Sequence, residues 1–191
     1  LAEAFAGEWM AAIRREMPGI EVYMEADYSN QMNRDLGAGN LDLAILYTPH
    51  YLPDLYYERI GDLHYVLVST EAHSLSEVRS ESYIRSSYSP TFDRAHRLAL
   101  PHLSAALLSA GQNMAITRLL AALGGSAYVT AATAERLVSD GSAARVQDAP
   151  VIPQTVYAAT SLRTRHAHQH RKIIAAMGGL LSTLPVPSEP Q

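Results

Sequence analysis

An almost entirely apolar run, GNLDLAILY, occupies residues 39–47 and predicts a strand that is buried on both faces. Upstream, Met32 and Leu36 lie four residues apart, which predicts a short helix over residues 30–36. A helix that leads into such a strand is typical of a parallel sheet covered on both faces. Asp42 is the one charged residue in the run. It either caps the backbone or pairs with a cation at the start of the strand, or it binds a ligand directly.

The rest of the pattern predicts alternating helices and strands. Apolar residues recur at helical spacing in four further segments, residues 2–17, 113–123, 132–139 and 173–184. Alternating or continuous apolar residues predict strands at 20–26, 55–60, 64–70, 82–88, 126–130 and 155–161. This alternation over 191 residues indicates an α/β protein, either as one domain or as two small lobes.

Charge and composition exclude several classes of function. A net charge of −4 and a pI near 6.0 argue against binding of this segment to a phosphate backbone, which needs a clustered positive field. The absence of cysteine excludes disulfides, thiolate metal sites and a cysteine nucleophile, and it fits the reducing cytoplasm in which we expect the protein. No apolar run reaches membrane-spanning length, so we expect no membrane partner. Because the chain opens on Leu1 rather than Met, we expect further residues upstream in the native protein.

The common catalytic and metal-binding motifs are not present in the sequence. The pair Gly37 and Gly39 precedes a strand and lacks the third glycine of a dinucleotide fingerprint. His166, His168 and His170 alternate, and in a helix this spacing points neighbouring side chains apart, so a basic helix start is favoured over a metal site. We therefore expect no catalytic residue, no metal and no cofactor.

Hydroxyl-rich turns are the candidate binding residues. Tyr28, Ser29 and Asn30 precede the helix predicted at residues 30–36, where free amides suit a carboxylate; plain capping of the helix is the alternative. A second cluster covers residues 86–91, at the end of a predicted strand, where ligands of α/β proteins collect. A serine-rich turn also serves as an ordinary connector, so both interpretations stay open.

Several sequence motifs occur in the order and spacing of a known family. They are PGIEV at residues 18–22, LGAGNLDLAI at 36–45, HYVLVS at 64–69, HSL at 73–75, GGSAYV at 124–129 and VQDAP at 146–150. Together they cover nearly the whole chain, and the chain resembles the effector-binding domain of LysR-type transcriptional regulators.

The resemblance implies an α/β, periplasmic-binding-protein-like (type 2) fold with two lobes. Lobe I would hold residues 1–66 and 156–185, lobe II would hold residues 67–155, and residues 186–191 would form a loose tail. The family has a strand and a ligand-contacting loop before the first helix, so the first strand of lobe I is expected to be missing from this chain. A DNA-binding winged helix-turn-helix domain is likewise expected upstream of it.

The resemblance also implies a small-molecule effector, an organic acid being one suitable class, bound between the lobes. The hydroxyl-rich turns would converge there, with Ser29 and Ser87 donating to a ligand carboxylate. The predicted ligand-binding residues are Tyr28, Ser29, Asn30, Tyr47, Thr48, Ser86, Ser87, Tyr88, Tyr128 and Thr130.

The expected partners follow from the same resemblance. A homodimer would form through the first helix and the helix at residues 113–123, with Trp9 and Met114 as contributors, and DNA would be bound only by the absent domain. The alternative functions are a solute-binding protein of a transporter, which shares the fold, and an enzyme built on the same two-lobed scaffold.

Overall fold

The computed structural model describes residues 2–187, with side chains from residue 5 onward. The chain forms two compact units. Unit 1 comprises Leu1–Asp62 and Thr155–Thr183, and unit 2 comprises Leu63–Gln154 and Leu184–Gln191. Most of the predicted loose tail, residues 188–191, lies outside the described residues.

Six α-helices and seven strands are described within residues 2–187. The helices are α1 (Ala2–Glu16), α2 (Ser29–Ala38), α3 (Pro90–Ala99), α4 (Asn113–Leu123), α5 (Ala131–Ser139) and α6 (His168–Ser182). The strands are β1 (Leu43–Leu46), β2 (Leu55–Ser69), β3 (Ile84–Ser86), β4 (Leu108–Ala110), β5 (Ser126–Thr130), β6 (Ala144–Arg145) and β7 (Ile152–Ser161). The chain passes from one unit to the other within β2, near the start of β7 and after Thr183.

Unit 1 is built around β1, which pairs antiparallel with β7 and places Ala44 opposite Ala159. One face of this pair packs with Leu36 of α2 in a buried apolar cluster. α1 packs on α6. The predicted apolar side of α1 is confirmed, because Trp9 and Ile13 are each only 3% exposed. Trp9 is therefore buried within its own unit, and its predicted contribution to a dimer contact is wrong.

Unit 2 is built around the second half of β2, which pairs antiparallel with β5 and with β6. β3 and β4 form a separate parallel pair. The buried core contains apolar residues of β2, β5, α4 and α5, in agreement with the predicted helices at residues 113–123 and 132–139. A second buried cluster is aromatic. It contains Tyr65, Tyr83, Phe92, His96 and Tyr128.

The predicted parallel sheet is wrong at β1, which is antiparallel to its partner β7. An apolar run predicts that a strand is buried on both faces. Whether the strand is parallel or antiparallel to its neighbour depends on a partner more than a hundred residues away. The strand predicted at residues 20–26 is also wrong. This segment has no regular secondary structure and pairs with no described strand, and Tyr23 within it is 81% exposed. A strand needs a hydrogen-bonded neighbour, which alternation alone does not supply.

Two further differences concern connections. The strands predicted at residues 55–60 and 64–70 form one continuous strand, β2, which includes Gly61. A methyl group at Gly61 would lie 3.0 Å from Cβ of Leu181 on α6, so glycine here permits close packing rather than a turn. Helix α3 was not predicted. It begins with the cap Ser89, whose hydroxyl accepts a hydrogen bond from the amide of Phe92.

Candidate functional site

In unit 1, Ser29 lies close to the residues that follow β1. The Ser29 hydroxyl accepts a hydrogen bond of 3.3 Å from the amide of Tyr47. The fully buried Asn33 donates to the carbonyl of Ser29 at 2.6 Å and to that of Thr48 at 3.1 Å. The structure thus brings together the predicted turns around Ser29 and Thr48. Asn33 was missed in the sequence because its role depends on burial.

Tyr57 supports this arrangement from β2. Its hydroxyl donates a 2.6 Å hydrogen bond to Oδ1 of Asn33. Burial raises the pKa of Tyr57, so the phenol stays protonated and keeps this bond in the physiological pH range. We call Ser29, Asn33, Tyr47, Thr48 and Tyr57 the unit 1 set.

The remaining candidates of unit 1 lie at the edge of this set. Oδ1 of the exposed Asn30 is 2.9 Å from Nε2 of His50. Tyr28 is the N-cap residue of α2, but its side chain makes no cap bond and is 70% exposed. Side-chain capping by Ser29 or Asn30, the alternative interpretation of this turn, is therefore not what the structure shows. Asp42 is exposed and immediately precedes β1.

In unit 2, Ser86 and Tyr88 meet at one backbone carbonyl. The hydroxyls of Ser86 and Tyr88 donate to the carbonyl of Tyr128 at 2.7 Å and 2.8 Å. The Tyr128 ring is fully buried, and its own hydroxyl donates to the carbonyl of Pro150. Burial raises the pKa of Tyr128. Tyr128 therefore contributes its carbonyl to this region and keeps its phenol in the core.

Asn113, at the start of α4, connects the end of β5 to this region. Its Oδ1 accepts from the amide of Thr130 at 3.1 Å and lies 3.4 Å from the hydroxyl of Tyr88. Its Nδ2 donates to the Thr133 hydroxyl, which also accepts from Thr130 at 2.9 Å. The polar triplet at residues 111–113, just before an amphipathic helix, was the available signal for Asn113.

Ser87 faces a carboxylate that the sequence did not single out. Its hydroxyl donates to Oδ2 of Asp93 at 2.8 Å, and its amide donates to the carbonyl of Ala110. Asp93 lies in the first turn of α3 and is half-buried. We call Ser86, Ser87, Tyr88, Asn113, Thr130 and Asp93 the unit 2 set.

Other features lie away from both sets. A groove of about 300 Å³ in unit 1 is lined by residues of β2 and α6, none of which belongs to the predicted site. Within the described part of the chain, no group of three or more His, Asp or Glu residues could hold a metal. His168 is the first residue of α6, as expected for a basic helix start. Among residues 2–187, no helix is long and apolar enough to cross a bilayer.

The family model of the LysR substrate binding domain matches residues 1–181. No curated protein is significantly similar to the chain. Solved structures resemble it in fold. The regulatory domain of HypT from Salmonella typhimurium has 17% identity and a TM-score of 0.69 over 92% of this chain and 90% of that one.

Two more regulatory domains align as fully. The domain of CcmR from Synechocystis PCC6803, solved in complex with 2-PG, has 20% identity and a TM-score of 0.70 over 97% of this chain and 95% of that one. The reduced domain of OxyR2 from Vibrio vulnificus has 13% identity and a TM-score of 0.74 over 95% and 91% of the two chains.

The family match supports a regulatory domain and not the solute-binding protein of a transporter. The predicted α/β, periplasmic-binding-protein-like (type 2) fold is confirmed by the same findings. The chain belongs to the LysR substrate binding domain family, and it is the effector-binding, regulatory kind of domain found in LysR-type regulators.

Proposed function

We propose that this regulatory domain binds a small-molecule effector, and that residues of the unit 1 set and residues of the unit 2 set take part in binding it. The observation that carries the proposal is that predicted residues from separate turns are hydrogen-bonded to one another within each unit, around Asn33 in unit 1 and around the Tyr128 carbonyl and Asn113 in unit 2. Polar side chains that are held in place in this way bind a ligand at a small entropic cost.

The regulatory step would be a shift between conformations of the domain. An effector that binds one conformation more tightly moves the population toward that conformation. The size of the shift is set by the difference between its affinities for the two conformations. We propose that this change reaches DNA through a DNA-binding domain that lies outside this chain. The acidic chain by itself is expected to leave DNA unretarded in a gel shift at moderate salt.

A homodimer is part of the proposal. The predicted contact uses α1 and α4, and of the two side chains named for it, Met114 is 50% exposed whereas Trp9 is buried. Light scattering at tens of micromolar protein, where a dimer of ordinary affinity is populated, would report twice the mass of one chain. We also propose that the domain has no enzymatic activity, in keeping with its regulatory family.

A thermal-shift screen tests effector binding. A ligand at about 100 times its dissociation constant adds about 2.7 kcal/mol to the free energy of unfolding, which is a clear shift in melting temperature. Calorimetry on Ser29→Ala should then show affinity reduced about tenfold or more, because a hydrogen bond to a polar ligand is lost. Ser139→Ala is the matched control, since Ser139 is exposed and bonds only within α5. Equal affinities in both variants would place the site away from Ser29.

A further inference from the structure

The carboxylate of Asp93 has no ion-pair partner among the described residues. The four ion pairs within residues 5–187 involve other acids, and Arg94 and Arg97 of the same helix make none with Asp93. Its one side-chain hydrogen bond comes from Ser87, which reaches Oδ2 only. A half-buried carboxylate normally gains a cation or several donors, so Asp93 has unused capacity to accept hydrogen bonds.

The charge of Asp93 acts on His96, where it favours the protonated ring, but His96 does not supply that cation. His96 lies one turn further along α3 and is 2% exposed, with Nε2 2.7 Å from the Tyr83 hydroxyl. Burial, and next the charge of Arg85, lower the pKa of His96, so the ring is neutral near pH 7.

Five hydroxyl groups in and next to the unit 2 set have already used their protons. Each of the five donates to an oxygen atom of the protein: Ser86 and Tyr88 to the Tyr128 carbonyl, Ser87 to Asp93, Ser89 to Gln154, and Thr130 to Thr133. A hydroxyl has one proton to donate but two acceptor lone pairs. What these groups still offer to a ligand is therefore acceptor capacity.

The start of α3 also disfavours an anion. Pro90 has no amide proton, and the amides of Phe92 and Asp93 donate to the hydroxyl and the carbonyl of Ser89. The Asp93 carboxylate itself occupies the positive end of the helix dipole. A ligand carboxylate placed here would meet few free donors and a like charge.

We propose that the effector carries a cationic or hydrogen-donating nitrogen, and that Asp93 binds it with Ser87 holding the carboxylate in position. Small amines and amino acids are the matching chemical class. The proposal rests on the effector site proposed above and revises its expected ligand chemistry in unit 2. There, Ser87 serves the protein carboxylate rather than a ligand carboxylate.

Three probes of one skeleton test the charge preference directly. Benzylamine, benzyl alcohol and benzoate differ at one substituent that is cationic, neutral or anionic at pH 7. Their dissociation constants are measured by NMR titration at millimolar concentration on the folded chain. Benzylamine should bind most tightly and benzoate most weakly. A preference for benzoate that persists in Ser29→Ala would overturn the inference.

The decisive variant is Asp93→Asn, which keeps an acceptor for Ser87 but removes the charge. Benzylamine affinity should fall about tenfold or more, because a charge-assisted hydrogen bond is lost. Affinity for benzyl alcohol should change little. Asp140→Asn, at the exposed C-terminal end of α5 in unit 2, is the control and should leave all three affinities unchanged.

Benzylamine affinity that is unchanged in Asp93→Asn overturns the inference about Asp93. If Ser29→Ala still weakens binding in that case, the proposed effector site is retained. Absence of binding by all three probes contradicts both proposals. A melting temperature within a few degrees of the parent chain shows that Asp93→Asn is folded, since losing one helix-dipole interaction costs about 0.3–1 kcal/mol.

Discussion

At Gly125 the backbone adopts a φ of +96°, and a methyl group added there would lie 2.0 Å from the carbonyl oxygen of Ser82. The same glycine exchanges hydrogen bonds with Thr70, donating from its amide and accepting from the Thr70 amide. Two independent constraints therefore require glycine, one of conformation and one of space. The sequence motif GGSAYV marks a glycine here, but the spatial constraint becomes visible only when Ser82 is placed beside it.

We predict that Gly125→Ala lowers the free energy of unfolding by at least about 4 kcal/mol, because neither the strain nor the overlap with a backbone oxygen relaxes cheaply. Gly141→Ala is the control. Gly141 has a φ of +72° but nothing within 4 Å of the added carbon, so strain alone should cost about 1 kcal/mol. Urea denaturation of the two variants measures both changes in the free energy of unfolding. Equal losses in the two variants would show that overlap with the Ser82 carbonyl oxygen adds nothing to the backbone strain.

Asn33 is the second position where one side chain decides a local structure. It is fully buried, donates to two carbonyls and accepts from Tyr57. We predict that Asn33→Leu costs about 3 kcal/mol, because it leaves buried polar groups without partners. Tyr57→Phe, which removes only one of these bonds, should cost about 1 kcal/mol. A chemical denaturation series that ranks Tyr57→Phe as the more damaging change would count against this account.

At the scale of elements, α6 approaches β2 closely at Gly178. A methyl group at Gly178 would lie 3.2 Å from the carbonyl oxygen of Ile60, whereas one at Gly179 would meet nothing within 4 Å. Both glycines are in the interior of α6, where glycine lowers helix stability relative to alanine. Only Gly178 has a packing reason to be there.

We predict that Gly179→Ala raises the free energy of unfolding by about 0.5–1 kcal/mol, the difference in helix propensity between the two residues. Gly178→Ala should show no such gain, because the close contact with β2 offsets it. The midpoint of urea unfolding checks both changes. A gain in both variants would show that the contact with Ile60 relaxes freely.

Element prediction succeeded where a local pattern carries the signal. The helices α1, α4 and α5 were predicted within a few residues of their bounds, and in α1 the buried residues Phe5, Trp9 and Ile13 lie on the predicted apolar side. Helix α3 was missed because its apolar side is shared between Phe92 and His96, and histidine is not counted as apolar. The segment at residues 20–26 alternates like a strand, yet pairing is decided by a neighbour and not by alternation.

At the scale of the whole molecule, stability depends on pH through His96. Burial lowers its folded pKa below the value near 6.5 of the unfolded chain, so the unfolded state binds the proton more readily. The stability that comes from keeping the His96 ring neutral is fully present above about pH 6.5. This part of the free energy of unfolding is lost as the pH falls toward the folded pKa. Glu71, Glu77 and Asp140 have lowered carboxyl pKa values, so these groups change the stability only at more acidic pH.

We predict that the melting temperature falls between pH 7.5 and pH 5.5, and that His96→Gln reduces this fall because glutamine does not titrate. His50→Gln is the control, since His50 is exposed. Calorimetric scans of the three proteins at both pH values provide the measurement. A fall of the same size in His96→Gln and in the parent would assign the pH dependence to other groups.

The sequence by itself determined the α/β class, the positions of most helices and strands, and, through ordered motifs, the LysR substrate binding family. These properties depend on local periodicity, on turn residues and on short motifs, all of which can be read along the chain. Tertiary structure alone decided the antiparallel pairing of β1 with β7 and the burial of Trp9 within its unit. It also decided the roles of Asn33, Asn113 and Asp93, because their hydrogen bonds join different elements or loops and exist only once folding brings the atoms within about 3 Å.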